Sequence, residues 1–173
     1  MKKSLGRILV GLVITGAVLM VNPIMKSKPE VLAQEGSSKR ECSPVGGMIM
    51  TNFGAIDQNT TMGVATGDLR GAVSGTILGA PQPGAGNTLA FHVQHHWVTE
   101  SGDTLSFDPA TATTVPLSQT LFAIVTYPLH LTAGTGRFAG ATGDLNAIGE
   151  VDLVNGTVFR YSGQVCLAVP GND

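Results

Sequence analysis

Residues alternate over a long run from Leu89 to Val98, where Leu89, Phe91, Val93, His95 and Trp97 fall on one side and Ala90, His92, Gln94, His96 and Val98 on the other. A period of two over that length predicts a long strand with one largely apolar face. Glu100-Ser101-Gly102-Asp103 then supplies a tight turn into Thr104 to Phe107, so the pair reads as a hairpin. A second hairpin is marked by Asn155-Gly156, which predicts a two-residue turn between Asp144 to Val154 and Thr157 to Ala168. Gln119 to Thr132 reads as a further strand, with Pro128 placing it at an edge or a bulge. Met48 to Phe53 and Thr60 to Leu78 complete the set. Glycine and threonine recur every few residues and helical spacing is nearly absent, so no packed helix of ordinary length is predicted.

Short strands separated by turns indicate a β-sandwich or a β-barrel. A barrel is the preferred expectation because closure removes exposed edges and because the two cysteines, Cys42 and Cys166, would set the first and last strands side by side. In an exported protein a lone cysteine pair reads as a disulfide rather than a metal or redox site.

Export itself is read from the N-terminus. Lys2, Lys3 and Arg7 precede an uncharged apolar run from Ile8 to Val21, and Val31-Leu32-Ala33 offers a signal-peptidase site. The run is shorter than the ~20 residues that span a bilayer comfortably. A removed signal peptide over residues 1–33 is therefore expected, with an uncleaved anchor as the alternative because residues 21–33 are long for a cleavage region. Residues 34–41 read as a flexible lead-in and residues 42–170 as a single barrel domain, secreted or periplasmic.

Charge narrows the partners. After Arg40 the only lysines or arginines are Arg70, Arg137 and Arg160, against Glu41, Asp57, Asp68, Glu100, Asp103, Asp108, Asp144, Glu150, Asp152 and Asp173. Such a surface repels phosphate backbones and anionic lipid, so neither nucleic acid nor, once the signal is removed, a membrane is an expected partner. Oligomeric state is not legible.

Candidate chemistry is sparse. His92 and His96 lie about 13 Å apart by strand rise and His95 points the other way, so no metal site is expected. Among apolar neighbours, His95 reads as a lumen residue with Phe91 and Trp97, and more simply as a hydrogen-bonded core histidine. The turn at Asn155-Gly156 would put Glu150 opposite Tyr161 and Asp152 opposite Phe159, leaving neither face cleanly apolar. Either a bulge at Gly149 shifts the register, or the interior is partly polar and Glu150, desolvated beside Tyr161, serves as a general acid or base. Phe159 and Tyr161 would then join Phe91, His95 and Trp97 in binding a ligand. No nucleophile elbow, phosphate loop or dinucleotide fingerprint is present, and no cofactor is expected. Ala65-Thr66-Gly67-Asp68-Leu69 recurs as Ala141-Thr142-Gly143-Asp144-Leu145, which reads as similar turns at two barrel rims before it reads as a duplication.

The segment Gly134-Thr135-Gly136-Arg137-Phe138-Ala139-Gly140-Ala141-Thr142-Gly143 resembles the glycine-rich signature of the allene oxide cyclase and dirigent barrel superfamily, here as an exported, bacterial-type member. The resemblance extends loosely from Thr60 to Cys166 and implies an eight-stranded, or nearly closed, antiparallel barrel whose lumen or mouth holds a hydrophobic molecule. Enzymatic members shape a substrate for cyclisation or coupling. The early strand Val45 to Phe53 has no carboxylate where plant allene oxide cyclases use a glutamate, so allene oxide cyclisation is not carried over. The function expected is an exported barrel binding a small hydrophobic ligand without committed chemistry. The alternatives are a cyclase or dirigent-type enzyme and an outer-membrane or structural barrel.

Overall fold

A computed structural model describes residues 40–169. The expected signal segment, residues 34–39 of the lead-in and the C-terminal end from residue 170 lie outside the described residues. The elements are β1 (Arg40–Phe53), β2 (Thr60–Ala65), β3 (Gly71–Ile77), β4 (Gln82–Pro83), β5 (Leu89–Thr99), β6 (Thr104–Phe107), β7 (Ala110–Pro116), β8 (Leu121–Thr126), β9 (Pro128–Gly134), β10 (Thr142–Asp152) and β11 (Gly156–Ala168). Two single 3-10 turns, Gly67–Leu69 and Gly136–Phe138, are the helical elements among the described residues.

All pairings are antiparallel and they close on themselves. β6 and β7 both pair with β5, and β8 and β9 both pair with β10, so each couple is one interrupted stave. Counting them so, eight staves run β1, β2, β3, β5, β6–β7, β9–β8, β10, β11 and return to β1. Closure pairs every edge, which β-branched and glycine-rich strands of this kind otherwise leave open to association. Arg40 and Glu41, expected to end the lead-in, already pair with Ala168 and Leu167. Cys42 and Cys166 stand directly opposite one another and form the disulfide, across a separation of 124 residues.

The interruptions have a definite effect on side-chain direction. Phe122 and Ile124 of β8 point inward at even positions, whereas Leu129 and Leu131 of β9 do so at odd ones. The register against β10 slips by one residue between Ile124–Gly149 and Leu131–Gly143, with Tyr127 in the gap. The extra residue lies at Val125-Thr126, both exposed, where the register against β7 shifts as well, and beyond it Tyr127 falls in the inward phase of Leu129 and Leu131 and is buried. Pro128, which lacks the N–H that an unbroken ladder needs, begins the next segment.

Two expectations are corrected. Thr60 to Leu78 is not one strand but β2 and β3 around the turn Gly67–Leu69. The last hairpin turns through Leu153-Val154-Asn155, because the Asp152 carboxylate accepts the Val154 N–H at 2.9 Å and the Asn155 side-chain amide at 2.6 Å. This Asx turn sets Asp152 opposite Gly156, Glu150 opposite Val158 and Ala147 opposite Tyr161, without a bulge at Gly149. Val151 and Ala147 then share the inner face with Thr157, Phe159 and Tyr161, and the conflict of faces disappears.

The end of the barrel that carries the disulfide is plugged. Thr66-Gly67-Asp68-Leu69 and Thr135-Gly136-Arg137-Phe138 adopt the same shape: an extended threonine (φ −114° and −116°), a left-handed glycine (φ 82° and 55°) and an apolar residue folded under the barrel. The structural repeat is therefore this pair, not the two Ala-Thr-Gly-Asp-Leu copies. Leu69 and Phe138 are both buried among Trp97, Leu131, Tyr161 and Val165. Tyr161 Oη accepts the Leu69 N–H at 3.0 Å and donates to Thr66 O at 2.9 Å, and Trp97 Nε1 donates to Leu69 O at 2.7 Å. On the outer wall, Val158, Met50, Val64 and Val98 fall on one row of paired residues and are exposed.

Candidate functional site in the barrel lumen

Above the plug the inward-facing residues leave a cavity of about 60 Å³. Its deep end is formed by Trp97, Ile49, Leu129 and Ala147, and its outer end by Phe53, Ile77, Val151 and Phe159. Those last four are only half-buried, which marks the open end. Gly75 faces His95 across the β3–β5 ladder and contributes no side chain, so space remains at mid-depth. None of the lining side chains is acidic, and none is a lysine or arginine. A larger depression of about 150 Å³ at the plugged end lies between Val45, Asp68 and Arg137. It is shallow and rimmed by charge, and the enclosed apolar lumen is the better ligand site.

Four of the ligand-binding residues expected from sequence, Phe91, His95, Trp97 and Phe159, line the cavity together. Tyr161 does not: its ring lies edge-on to Trp97 at 5.4 Å, and its hydroxyl is committed to the plug. Burial pushes the Tyr161 phenol up, so it stays protonated and structural. Glu150 is on the outer wall, exposed and opposite Val158, so the pairing with Tyr161 on which an acid–base role depended is not formed. His92 and His96 also face outward, and His92 Nδ1 bonds the Thr111 hydroxyl at 2.9 Å.

The residue that sequence reasoning missed is Tyr127. Its hydroxyl lies 2.7 Å from His95 Nε2, and the two rings sit 5.5 Å apart inside the lumen. Among the threonines of the wall, Thr51 and Thr157 share one hydrogen bond at 2.6 Å, Thr61 donates to Gly75 O and Thr114 to Leu89 O. His95 Nδ1 is buried without a hydrogen-bond partner among the described residues. Part of the imidazole surface faces the cavity, but the surrounding apolar groups strip its hydration, and the neighbouring His96 adds a smaller repulsion. Together they lower the His95 pKa to about 4. Desolvation likewise raises the Tyr127 phenol above its ordinary range. The pair is neutral across the physiological range.

The bulge at Val125 shifts the inward phase from Phe122 and Ile124 to Tyr127, Leu129 and Leu131, and Pro128 was the one sequence signal of a break there.

No protein-family model and no curated protein matches the chain. Among solved structures, a pterocarpan synthase dirigent protein is similar over 78% of this chain and 94% of that one, at 13% sequence identity and a TM-score of 0.45. A likeness at that level transfers neither fold nor chemistry, and the barrel described above rests on its own strand pairing.

Proposed function

We propose that this protein is exported and that its barrel holds a small hydrophobic molecule in the lumen, without committed chemistry. The observation that carries this reading is an apolar cavity whose open end is ringed by exposed apolar side chains. Ile56, Leu78, Leu117 and Leu153-Val154 stand on the loops that follow β1, β3, β7 and β10, which is the end where Phe53, Ile77 and Val151 line the cavity. Exposed leucine and isoleucine on several adjoining loops are what an entrance for an apolar ligand requires. The cavity of about 60 Å³ is well below the roughly 150 Å³ that accommodates benzene. The occupant therefore inserts a narrow portion, such as an alkyl chain, while its remainder rests among the loop tips.

Export is supported by the N-terminal pattern and by the disulfide, which suits an oxidising compartment. An outer-membrane barrel is disfavoured, since such barrels are polar inside and apolar outside, whereas here Asp144, Glu150 and Arg160 face outward. Native mass spectrometry of the protein purified from its own host tests the proposal. A co-purified small molecule released by organic solvent is expected; an empty barrel that also fails to take up apolar probes would overturn it.

A second reading, an enzyme that orients a reactive substrate, is favoured by one observation: the His95–Tyr127 pair is a fixed polar contact inside an apolar chamber. Conversion of the co-purified molecule on incubation with fresh protein would select this reading over a carrier.

A further inference from the structure

We propose that the open end of the barrel docks on a neutral phospholipid bilayer, its loop tips inserted among the lipids, so that the narrow apolar portion of a ligand passes from the membrane into the lumen without crossing water. The inference rests on the lumen being a ligand site and names the surface from which that site is filled.

The four loops of the open end form one rim. The Ile77 N–H donates to Asn59 O at 2.9 Å, which ties the loop after β3 to the loop after β1. The Leu153 N–H donates to Thr120 O at 2.9 Å and ties the loop after β10 to the loop after β7. Gly156 closes on the loop after β1, where a Cβ would lie 2.0 Å from Thr51 O. Each loop raises an aliphatic side chain from this rim: Ile56 is 66% exposed, Leu117 56% and Val154 68%, with Leu78 between them at 45%.

Charge is distributed the opposite way along the barrel. Asp68, Arg70, Glu100, Asp103 and Arg137 stand in the turns of the plugged end. At the open end the charged residues of the loops and their borders are Asp57 and Asp152, and both carboxylates are turned back on their own loops. Asp57 accepts the Asn59 N–H at 2.8 Å and the Thr60 hydroxyl at 3.1 Å, and Asp152 accepts the Val154 N–H and the Asn155 amide. The acidic body excludes electrostatic docking on anionic lipid. A rim of aliphatic tips without lysine or arginine suits shallow insertion into neutral lipid instead.

The arrangement of the tips favours lipid over a protein. A protein partner asks for a continuous complementary patch and would cap the mouth. Lipid fills the space between separate tips, and its own alkyl chains match the narrow lumen. Such chains are driven out of water in proportion to their apolar area, so a membrane is where they are met.

The test is flotation of the protein, purified from its own host, with phosphatidylcholine vesicles. The native protein should float, and Ile56→Ser with Leu117→Ser and Val154→Ser should weaken partitioning by about tenfold or more. Met50→Ser with Val158→Ser, on the exposed row of the outer wall, should leave it unchanged within about twofold. Val154→Trp gives a second readout that does not depend on the triple variant folding. Its added fluorescence should be quenched by phosphatidylcholine brominated on the acyl chains, whereas Trp97, buried beside the plug, should not respond.

Absence of flotation, flotation that survives the triple variant, or flotation lost in the outer-wall pair would overturn the docking. So would binding that requires phosphatidylglycerol and disappears in salt, or a rim-dependent dimer that ignores vesicles. Uptake of 1-bromobutane in vesicle-free solution separates the two readings. Uptake without docking would overturn this proposal and leave the lumen reading intact, and rim-dependent docking without uptake would overturn the transfer together with the lumen reading.

Discussion

Lowering the pH from about 7.5 to about 4.5 should cost the barrel about 2.5 kcal/mol through His95 alone. In the unfolded chain His95 takes up a proton at its ordinary pKa of 6.5, whereas in the folded barrel it does so only at about 4, because the lumen strips its hydration. Between those values the unfolded state binds a proton that the folded state refuses. Stability from this group is therefore fully present above the unfolded value, falls as the pH drops toward the folded one, and levels off below it. By about pH 4.5 about two of the roughly 2.5 pH units between these values have been crossed, each worth about 1.4 kcal/mol, and partial protonation of the folded state trims the loss to about 2.5 kcal/mol against a limit of about 3.4. Urea unfolding of the disulfide-intact protein at the two pH values, followed through Trp97, the chain's single tryptophan, measures the loss. The same pair of measurements on His95→Leu subtracts every other titrating group, including His130, whose pKa the neighbouring Asp144 raises and whose effect has the opposite sign. The native protein should lose about 2.5 kcal/mol more than the variant. A difference below about 0.5 kcal/mol, or a His95 titration midpoint above about 6 in the folded state, would show that the imidazole is hydrated and that the lumen is not the dry chamber described.

Other predictions concern the frame around the lumen. Tyr161→Phe should cost about 1 to 3 kcal/mol in urea unfolding, because the Leu69 N–H and Thr66 O of the plug both lose their partner. Gly47→Ala should cost about 3 kcal/mol or more, seen as a large fall in Tm, since a Cβ there would lie 2.0 Å from Thr66 O and 2.7 Å from Tyr161 Oη. Replacing Cys42 and Cys166 by serine opens a link across 124 residues and should lower the unfolding free energy by roughly 4 to 5 kcal/mol. Glu150→Gln, on the outer wall, should leave ligand uptake unchanged and stability within about 0.5 kcal/mol by the same unfolding assay.

The strands were legible where one face is apolar and the other polar without interruption. Leu89 to Thr99 is such a case, and the inward direction of Phe91, His95 and Trp97 follows from its period alone. Register was legible only where turn chemistry acts alone. At the last hairpin Asn155-Gly156 suggested a short turn, but the Asp152 side chain captured the backbone two residues on and lengthened it, moving Glu150 from an expected interior to the exterior. The plug was hidden for another reason. Its repeat is one of backbone shape with different side chains, Asp68-Leu69 against Arg137-Phe138, while the identical five-residue copies sit in different environments. Tyr127 escaped notice because a bulge reverses the alternation that would otherwise assign its direction.

The most direct measurement of the account is a crystal structure of the protein grown with 1-bromobutane, in which the anomalous signal of bromine locates an apolar molecule without ambiguity. The account predicts a peak inside the barrel, among Phe91, Tyr127 and Phe159. Bromine found only on the outer row of Met50, Val64 and Val158, with the lumen unoccupied by the probe, would contradict it.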